Sequence, residues 1–325
     1  MGNKSELQKL LEQTVRRKAT DLHICPGALP FVRVNGELVE IPSAPLDVKT
    51  TKAIIDELLE VEQKNNLHRE KRLAFTFSVP ALGRFRANAY SQRGSYAIAI
   101  RSLPFEMPDF HSLGLSDTAN AFVGGGKGLY IVAGPAGSGK STTMAAIVNH
   151  LNGEKAYHIT TIESPIEFLH RHKKSLVTQR EIGADAPDVK TALSWALCED
   201  SDVIVLSGAD AEALPVILTA AESKPVYITL NASGAAKAIG WFVDESVSLA
   251  ASHMTGADSS LLHVQAQRRF ADVLGGIISQ RLVPCTDTQA MKLIADVIIA
   301  DTAAKNLIRD GKYSGIMDSQ EKGAG

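Results

Sequence analysis

Three features are scarce in this sequence, and each scarcity excludes a class of protein. The 325 residues include only three cysteines, Cys25, Cys198 and Cys285, whose scattered positions lack the spacing of a metal site or a disulfide framework. No apolar run approaches the roughly 18 residues that span a bilayer, and the N-terminus carries neither a signal-peptide core nor a myristoylation pattern. The formal net charge of -2 argues against a general nucleic-acid binder. We therefore expect a cytoplasmic protein with reduced thiols, no direct membrane insertion and no nucleic-acid partner.

The N-terminal part of the chain has the pattern of a mixed α+β domain, which we predict at residues 1–102. Amphipathic spacing predicts helices at 5–17 and 48–64. Alternating apolar runs, two of them joined by an Asn-Gly turn signal, predict strands at 21–24, 31–34, 37–41, 75–79, 83–90 and 96–101. Residues 103–127, which contain prolines and a run of three glycines, are typical of a linker.

Beyond the linker, short apolar runs alternate with helical patterns, which is typical of a mostly parallel sheet with helices on both faces. The predicted strands are 129–133, 157–162, 202–206 and 226–230, and the predicted helices are 141–151, 188–198 and 210–222. Apolar spacing predicts further helix over 257–310, and the polar residues 314–325 are expected to form a flexible tail. The chain is thus predicted to be an α/β protein with its larger domain at 128–313.

A complete G-x-x-x-x-G-K-[ST] motif lies between the first strand and the first helix of this larger domain. Its residues, with the helical residue that follows, are Gly134, Pro135, Ala136, Gly137, Ser138, Gly139, Lys140, Ser141 and Thr142. In that context the backbone N–H groups surround phosphates, and the helix N-terminus adds partial positive charge. Lys140 supplies a positive charge to the phosphates, and Ser141 supplies a hydroxyl to Mg²⁺. The motif therefore predicts that the chain binds ATP with Mg²⁺.

Nearly the whole chain resembles the pilus-retraction ATPases, a branch of the type II/type IV secretion ATPase superfamily. Besides the phosphate loop, the collinear segments that carry the resemblance are 19–23, 33–38, 83–88, 92–94, 161–168, 179–181, 218–222, 278–282 and 306–312. The resemblance implies an N-terminal PAS-like domain, a RecA-like ATPase core and a hexameric ring. It also implies that the ring lies against the cytoplasmic face of the inner membrane, beneath a pilus or secretion platform protein, and drives pilin removal.

Candidate catalytic and nucleotide-contacting residues follow from these patterns. Glu163 ends a predicted strand at the edge where α/β proteins bind ligands, and the resemblance implies that it holds Mg²⁺ or water; its alternative role is to cap a turn. Asn231 ends another strand and either senses the γ-phosphate or caps a helix. Four arginines are candidates to reach a neighbouring subunit's γ-phosphate, with a solvated strand face as the alternative. They are Arg84, Arg86, Arg93 and Arg101.

The chain also departs from the family pattern around the expected water-activating glutamate. In either register that position is Ser207 or Gly208, neither of which is a carboxylate, and Asp210 is the best local replacement. The other departures are Ser164 for an acidic residue, Asn231 for a histidine, Ser194, Cys198 and Trp241 for arginines, and no long helical extension beyond residue 314.

Three hypotheses therefore stay open at this point. The first is a working retraction motor with weak hydrolysis. The second is a hydrolysis-deficient nucleotide-binding paralogue that forms a mixed ring with an active subunit, and the third is a secretion ATPase for another machine.

The basic run at 170–174 contains two histidines, His170 and His172. Two ligands are fewer than the three or four that a zinc site needs, so we interpret the run as a solvated basic turn and not as a metal site.

Overall fold

The computed structural model describes residues 5–34, 36–103, 107–110, 112–115, 117–253, 258–284 and 291–316. The chain forms two compact units. The first comprises Met1–Glu106 together with Pro165–Leu169, and the second comprises Met107–Ser164 and His170–Gly325. Among the described residues, no helix combines the length and apolar character that crossing a bilayer requires.

The first unit is a six-stranded antiparallel sheet with helices packed on its apolar face. The elements are α1 (Glu6–Arg16), β1 (Asp21–Ile24), β2 (Phe31–Val34), β3 (Glu37–Glu40), α2 (Val48–Leu58), α3 (Val61–Glu70), β4 (Arg72–Val79), β5 (Gly83–Gln92) and β6 (Ser95–Ser102). The strand order in the sheet is β3-β2-β1-β6-β5-β4. Leu7, Leu10 and Leu11 recur at helical spacing on α1 and are buried in this unit's core.

One helix predicted in this unit is two helices. The prediction of a single helix at 48–64 is wrong, because α2 ends at Leu58 and α3 begins at Val61. Leu59 is extended, with ψ 136°, which breaks the helical backbone. Glu60 then forms a capping box with Gln63, which satisfies backbone N–H groups at the start of α3. The extended backbone at Leu59 and the capping box at Glu60 therefore divide a segment whose amphipathic spacing is continuous.

The second unit contains a seven-stranded sheet and helices. Its elements are α4 (Asp117–Gly124), β7 (Gly128–Gly134), α5 (Lys140–Glu154), β8 (His158–Glu163), β9 (Leu176–Glu181), α6 (Val189–Cys198), β10 (Val203–Leu206), α7 (Leu214–Ala221), β11 (Pro225–Asn231), α8 (Ala235–His253), α9 (Ser259–Val273), β12 (Leu274–Pro284), β13 (Met291–Ile299) and α10 (Thr302–Arg309). The strand order is β13-β12-β7-β11-β10-β8-β9. All pairs are parallel except β12 with β13. The predicted α/β fold with a mostly parallel sheet is confirmed.

The helical prediction for 257–310 is wrong over its middle part, which forms the strands β12 and β13. Gly275 and Gly276 follow α9 and disfavour continued helix. The sheet also requires their small size, because a Cβ on Gly275 would lie 2.5 Å from the Tyr130 ring and one on Gly276 would lie 2.7 Å from the Ile298 carbonyl oxygen. Buried strands and buried helices both appear in a sequence as runs of apolar residues, so the spacing of apolar residues alone does not distinguish them here.

Smaller differences concern element boundaries and omissions. The helix predicted at 210–222 begins only at Leu214, so Asp210 lies in the turn before α7. The helix α4 lies within the predicted linker, and β9 and α8 were not predicted. Most of the predicted flexible tail, 317–325, lies outside the described residues.

Candidate functional site

The phosphate loop connects β7 to α5 and is shaped by its glycines. Gly137 and Gly139 have φ of 76° and 86°, in the left-handed region that favours glycine. Gly134 has no room for a Cβ, which would collide with the Ser138 side chain and lie 2.5 Å from the Gln280 carbonyl oxygen. The loop therefore turns tightly into the N-terminus of a 15-residue helix, which is the geometry that binds anions.

Lys140 folds back over the loop. Its Nζ donates hydrogen bonds to the carbonyl oxygens of Gly134, at 3.0 Å, and Pro135, at 2.8 Å. Partial burial lowers the pKa of Lys140 below its ordinary value. Backbone carbonyls thus hold the ammonium over the loop. In that position its positive charge would attract a phosphate group bound by the loop.

Ser141 and Thr142 occupy the first turn of α5 and are partly buried. No cluster of three or more His, Cys, Asp or Glu side chains that could hold a metal ion occurs among the described residues. Such a cluster is not what Mg²⁺ needs, because it usually takes one or two protein oxygens and completes its shell with phosphates and water. The hydroxyl of Ser141 and the carboxylate of Glu163 are oxygen donors of the kind that Mg²⁺ takes, and their assignment as its ligands stays a prediction.

The carboxyl ends of neighbouring strands place the other candidates along one sheet edge. Asn231 pairs directly with Gly134 in the register of β11 with β7, so it lies beside the first loop residue and is exposed. Ser207 follows β10, the second strand from β7, and Glu163 ends β8, the third. At about 4.8 Å per strand, these two strands lie roughly 10 and 14 Å from β7. Asn231 is therefore the candidate nearest to the loop.

Glu163 is held by its neighbours in the sheet. Its Oε1 accepts hydrogen bonds from Thr161 Oγ1, at 2.6 Å, and from Gln179 Nε2, at 3.0 Å. Gln179 in turn accepts from the backbone N–H of His170 at 2.8 Å. The carboxylate thus has a fixed orientation at the sheet edge, which is more than the turn-capping alternative requires.

Asp210, the predicted replacement carboxylate, is engaged locally. Its Oδ1 accepts from the backbone N–H of Glu212 at 2.9 Å, which forms a turn before α7. Ser207 lies nearer to the strand end, and its Oγ accepts from the backbone N–H of Ser164 at 3.0 Å. The edge directly after β10 therefore presents a hydroxyl at the position where the resemblance leads us to expect a carboxylate.

Three of the four candidate arginines share the polar face of the first unit's sheet. Arg84 and Arg86 alternate with buried residues on β5, and Arg101 on β6 is the register partner of Arg86. Arg84 donates to Thr76 Oγ1 at 2.6 Å and to the Ile166 carbonyl oxygen at 3.3 Å. Arg101 donates to Asp21 Oδ1 at 2.8 Å.

Arg86 differs from these two arginines, because within the described ranges it has no hydrogen-bond or ion-pair partner. It is exposed, and its register partner on the neighbouring strand is Arg101. The Asp21 carboxylate offsets the charge of Arg101, whereas like charges directly opposite each other across a sheet repel. Arg86 is therefore the arginine of this face with charge to spare for a ligand.

Arg93 is apart from this face, in the turn between β5 and β6. Its φ is 45°, and it lines an open cavity of about 510 Å³ together with Asp47 at the start of α2. The turn geometry explains its position without a ligand, because a two-residue turn between antiparallel strands favours positive φ. All four arginine assignments stay predictions.

The basic run at 170–174 contains one buried histidine. Burial, with a smaller effect of Lys173, lowers the pKa of His170 to about 4. Its Nδ1 is buried and finds no hydrogen-bond partner in the part of the chain that the structure describes, whereas His172 Nδ1 accepts from the backbone N–H of Val177. His170 thus stays neutral at ordinary pH, which differs from a wholly solvated basic turn.

Gln280 was not among the site residues predicted from the sequence. It is buried on β12, and its Nε2 donates to the carbonyl oxygen of Ser138 in the phosphate loop at 2.7 Å. The available signal was one polar amide within the apolar run of β12. The sequence does not indicate which group this amide contacts, because Gln280 and Ser138 are 142 positions apart.

Comparison with known proteins agrees with this geometry. A profile of the type II/IV secretion system protein family matches residues 4–321. The type IV pilus retraction ATPase PilT of Pseudomonas aeruginosa is 33% identical over 324 residues, which cover 98% of this chain and 89% of PilT. The twitching motility protein of Neisseria gonorrhoeae is 32% identical over 289 residues, 88% of this chain and 74% of that protein.

Solved structures extend the similarity to the fold. The pilus retraction motor PilT with bound ADP has a TM-score of 0.88 and 35% identity, and the match covers 98% of this chain and 90% of that one. The ATPase DotB of Legionella pneumophila, at 24% identity and a TM-score of 0.80, shares the fold; the match covers 97% of this chain and 86% of that chain. The resemblance to the pilus-retraction ATPases is confirmed, and the chain belongs to the type II/IV secretion system protein family.

Proposed function

We propose that this chain is a nucleotide-binding subunit of a motor that resembles the pilus-retraction ATPases. The observation that carries the proposal is the complete phosphate loop between β7 and α5, in a chain that aligns with PilT over 98% of its length. ATP is the proposed ligand, with Lys140 and the loop N–H groups on its phosphates. Mg²⁺ would be held by Ser141 and Glu163 with the phosphates, and it would neutralise charge that develops on the transferred group.

The proposed assembly is a ring in which a neighbouring subunit completes each nucleotide site. Arg86 supports this part of the proposal, because it is exposed and, among the described residues, has no carboxylate paired with it, whereas its register partner Arg101 is bonded to Asp21. The same ring would contact a pilus or secretion platform protein at the inner face of the cytoplasmic membrane. A working motor would couple ATP hydrolysis there to removal of pilin subunits.

A second candidate function is a nucleotide-binding ring subunit that hydrolyses little ATP and pairs with an active paralogue. The specific observation in its favour is the end of β10, where Ser207 and Gly208 stand and Asp210 is engaged in a turn. A missing general base typically lowers a rate by 100- to 10,000-fold, to order of magnitude.

Steady-state phosphate release with ATP and Mg²⁺ tests the proposal, with Lys140→Ala as the blank. Nucleotide binding of both proteins is measured by calorimetry in parallel. Turnover above the blank supports a motor, and binding without turnover supports the second candidate. Unchanged ATP affinity in Lys140→Ala, or no binding by the natural chain, would contradict the nucleotide-binding role itself.

A further inference from the structure

The strand β12 extends beyond the end of β7 and reaches the phosphate loop. In the parallel register of these strands Ser279 pairs with Ala133, so Gln280 comes level with Gly134, the first loop residue. The Gln280 side chain is 3% exposed. It lies against the loop, because a Cβ on Gly139 would be 3.4 Å from Gln280 Nε2. The buried amide of Gln280 therefore lies directly against the phosphate loop.

The Gln280 amide donates a hydrogen bond to a carbonyl oxygen of the phosphate loop, that of Ser138. In a phosphate cradle successive N–H groups point inward, so carbonyl oxygens point outward into the protein and require donors there. Gln280 Nε2 donates to the Ser138 carbonyl oxygen at 2.7 Å. Without this donor the oxygen would be buried and unpaired, which is unfavourable.

The hydrogen bond also fixes the direction of the next N–H group. The carbonyl of Ser138 and the N–H of Gly139 belong to one planar peptide unit, in which they point in opposite directions. Holding the oxygen on Gln280 therefore turns the N–H of Gly139 away from β12. Gly139 has φ 86° and no Cβ, so nothing intrinsic to this residue prevents the peptide from flipping.

We infer that Gln280 is a positioning residue: it locks the Ser138–Gly139 peptide so that the Gly139 N–H points toward the nucleotide phosphates. The inference rests on the proposed nucleotide-binding function. Among the described residues, neither Ser138 Oγ nor Gln280 Oε1, both buried, has a hydrogen-bond partner, so the bond from Gln280 Nε2 to the Ser138 carbonyl oxygen is the polar link between these two residues. A loop with the flipped peptide would present an oxygen to the phosphates in place of a donor.

Two substitutions of similar size separate this role from simple packing. Gln280→Met fills the same space but has no donor. Gln280→Glu has no donor when it is ionised but regains an O–H donor when it is protonated. A carboxyl that is buried and faces a carbonyl oxygen has its pKa raised above the ordinary value of about 4.3, so protonation falls in an accessible range.

The experiment measures ADP affinity of the full chain by calorimetry at pH 8 and pH 5.5, always relative to the natural chain at the same pH. Gln280→Met is expected to bind ADP about tenfold to a hundredfold more weakly at both values. Gln280→Glu is expected to lose the same affinity at pH 8 and to regain most of it at pH 5.5. Gln267→Met, which removes a part-buried amide that bonds Tyr313 far along the chain, is the control and keeps the affinity.

Hydrogen exchange of the loop peptide in the nucleotide-free protein supplies a second readout. Gln280→Met is expected to speed exchange at residues 137–140 and to leave β7 unchanged, whereas Gln267→Met changes neither. Natural affinity and exchange in Gln280→Met, or a pH-independent Gln280→Glu, would overturn the inference. If Gln280→Met does not fold, the pH dependence of Gln280→Glu decides. If the natural chain binds no ADP, the proposed function fails, and loop exchange alone still decides the role of Gln280.

Discussion

Ser207 accepts a hydrogen bond from the backbone N–H of Ser164, with 3.0 Å between Oγ and nitrogen. The bond ties the end of β10 to the end of β8 at the edge that carries the phosphate loop. A serine hydroxyl suits this role, because it satisfies a backbone donor at short reach. It does not suit activation of water, since it is not a base at neutral pH.

We therefore expect Ser207→Glu to raise the rate of ATP hydrolysis by about tenfold or more, because it places a carboxylate at the end of β10. Ser207→Gln is the matched control, because it has the same length without the charge. Steady-state phosphate release at saturating ATP checks the prediction. Position 208 is the poorer choice, because Gly208 has φ 117°, which strains any other residue.

Equal rates in Ser207→Glu and Ser207→Gln would mean that more than the carboxylate is absent from this site. In that case the second candidate function, a ring subunit with little hydrolysis, gains support. Binding of ATP by both variants must be verified, because the substitution also removes the hydrogen bond to Ser164.

The second prediction concerns Gln179, whose side-chain amide donates a hydrogen bond to Glu163. Gln179→Glu keeps an acceptor for the His170 N–H but replaces the donor to Glu163 with a second carboxylate. Two adjacent carboxylates repel, so the pKa of one of them rises. We expect the variant to lose about 1–3 kcal/mol of stability at pH 8 and to recover part of it at pH 5.

Chemical denaturation at the two pH values measures this change. Gln179→Met, which also lacks the donor but adds no charge, is the control and is expected to lose stability without the recovery at low pH. A stable Gln179→Glu at pH 8 would contradict the contact between Gln179 and Glu163.

The sequence predicts the phosphate loop, but it does not predict the side-chain contacts of Glu163 and Gln280. The phosphate loop, β7 and α5 are adjacent in sequence, and a glycine-rich motif between an apolar strand and a helix indicates a phosphate-binding loop. Glu163 was found because it ends a strand beside a proline turn. Its partner Gln179 is 16 residues away in a strand that was not predicted, and the partner of Gln280 is 142 residues away. Side-chain contacts between strands depend on sheet order, which the crossover helices leave open.

The third prediction separates two arginines on one sheet face. Burial alone would raise the pKa of Asp21, but hydrogen bonds from Arg101 and Thr20 outweigh burial and lower it. Because the folded pKa is lowered, this contribution to stability is present above the unfolded pKa, about 3.9, and is lost as pH falls through the folded value. Arg101→Met should therefore destabilise the protein at pH 7 by up to about 1 kcal/mol, a modest value because Arg101 is largely exposed.

Arg86→Met is the matched variant, since Arg86 faces Arg101 across the strands. We expect its stability to be unchanged or slightly raised, because a like-charge contact is removed. If Arg86 serves a neighbouring subunit's nucleotide, its loss lowers ATP turnover in the ring while stability stays constant. A large loss of stability in Arg86→Met would contradict its assignment as an arginine with charge to spare.

The last prediction concerns His170, whose burial lowers its pKa to about 4. The unfolded chain binds this proton near pH 6.5, well before the folded protein does, so stability falls as pH drops from about 6.5 toward 4. At pH 5 the loss from this residue is about 2 kcal/mol by linkage. His23, whose pKa burial also lowers, acts in the same direction. His170→Gln should flatten the pH dependence of the unfolding free energy between pH 7 and 5. An unaltered slope in His170→Gln would show that His170 is solvated in the folded protein, as the charge pattern at 170–174 first indicated.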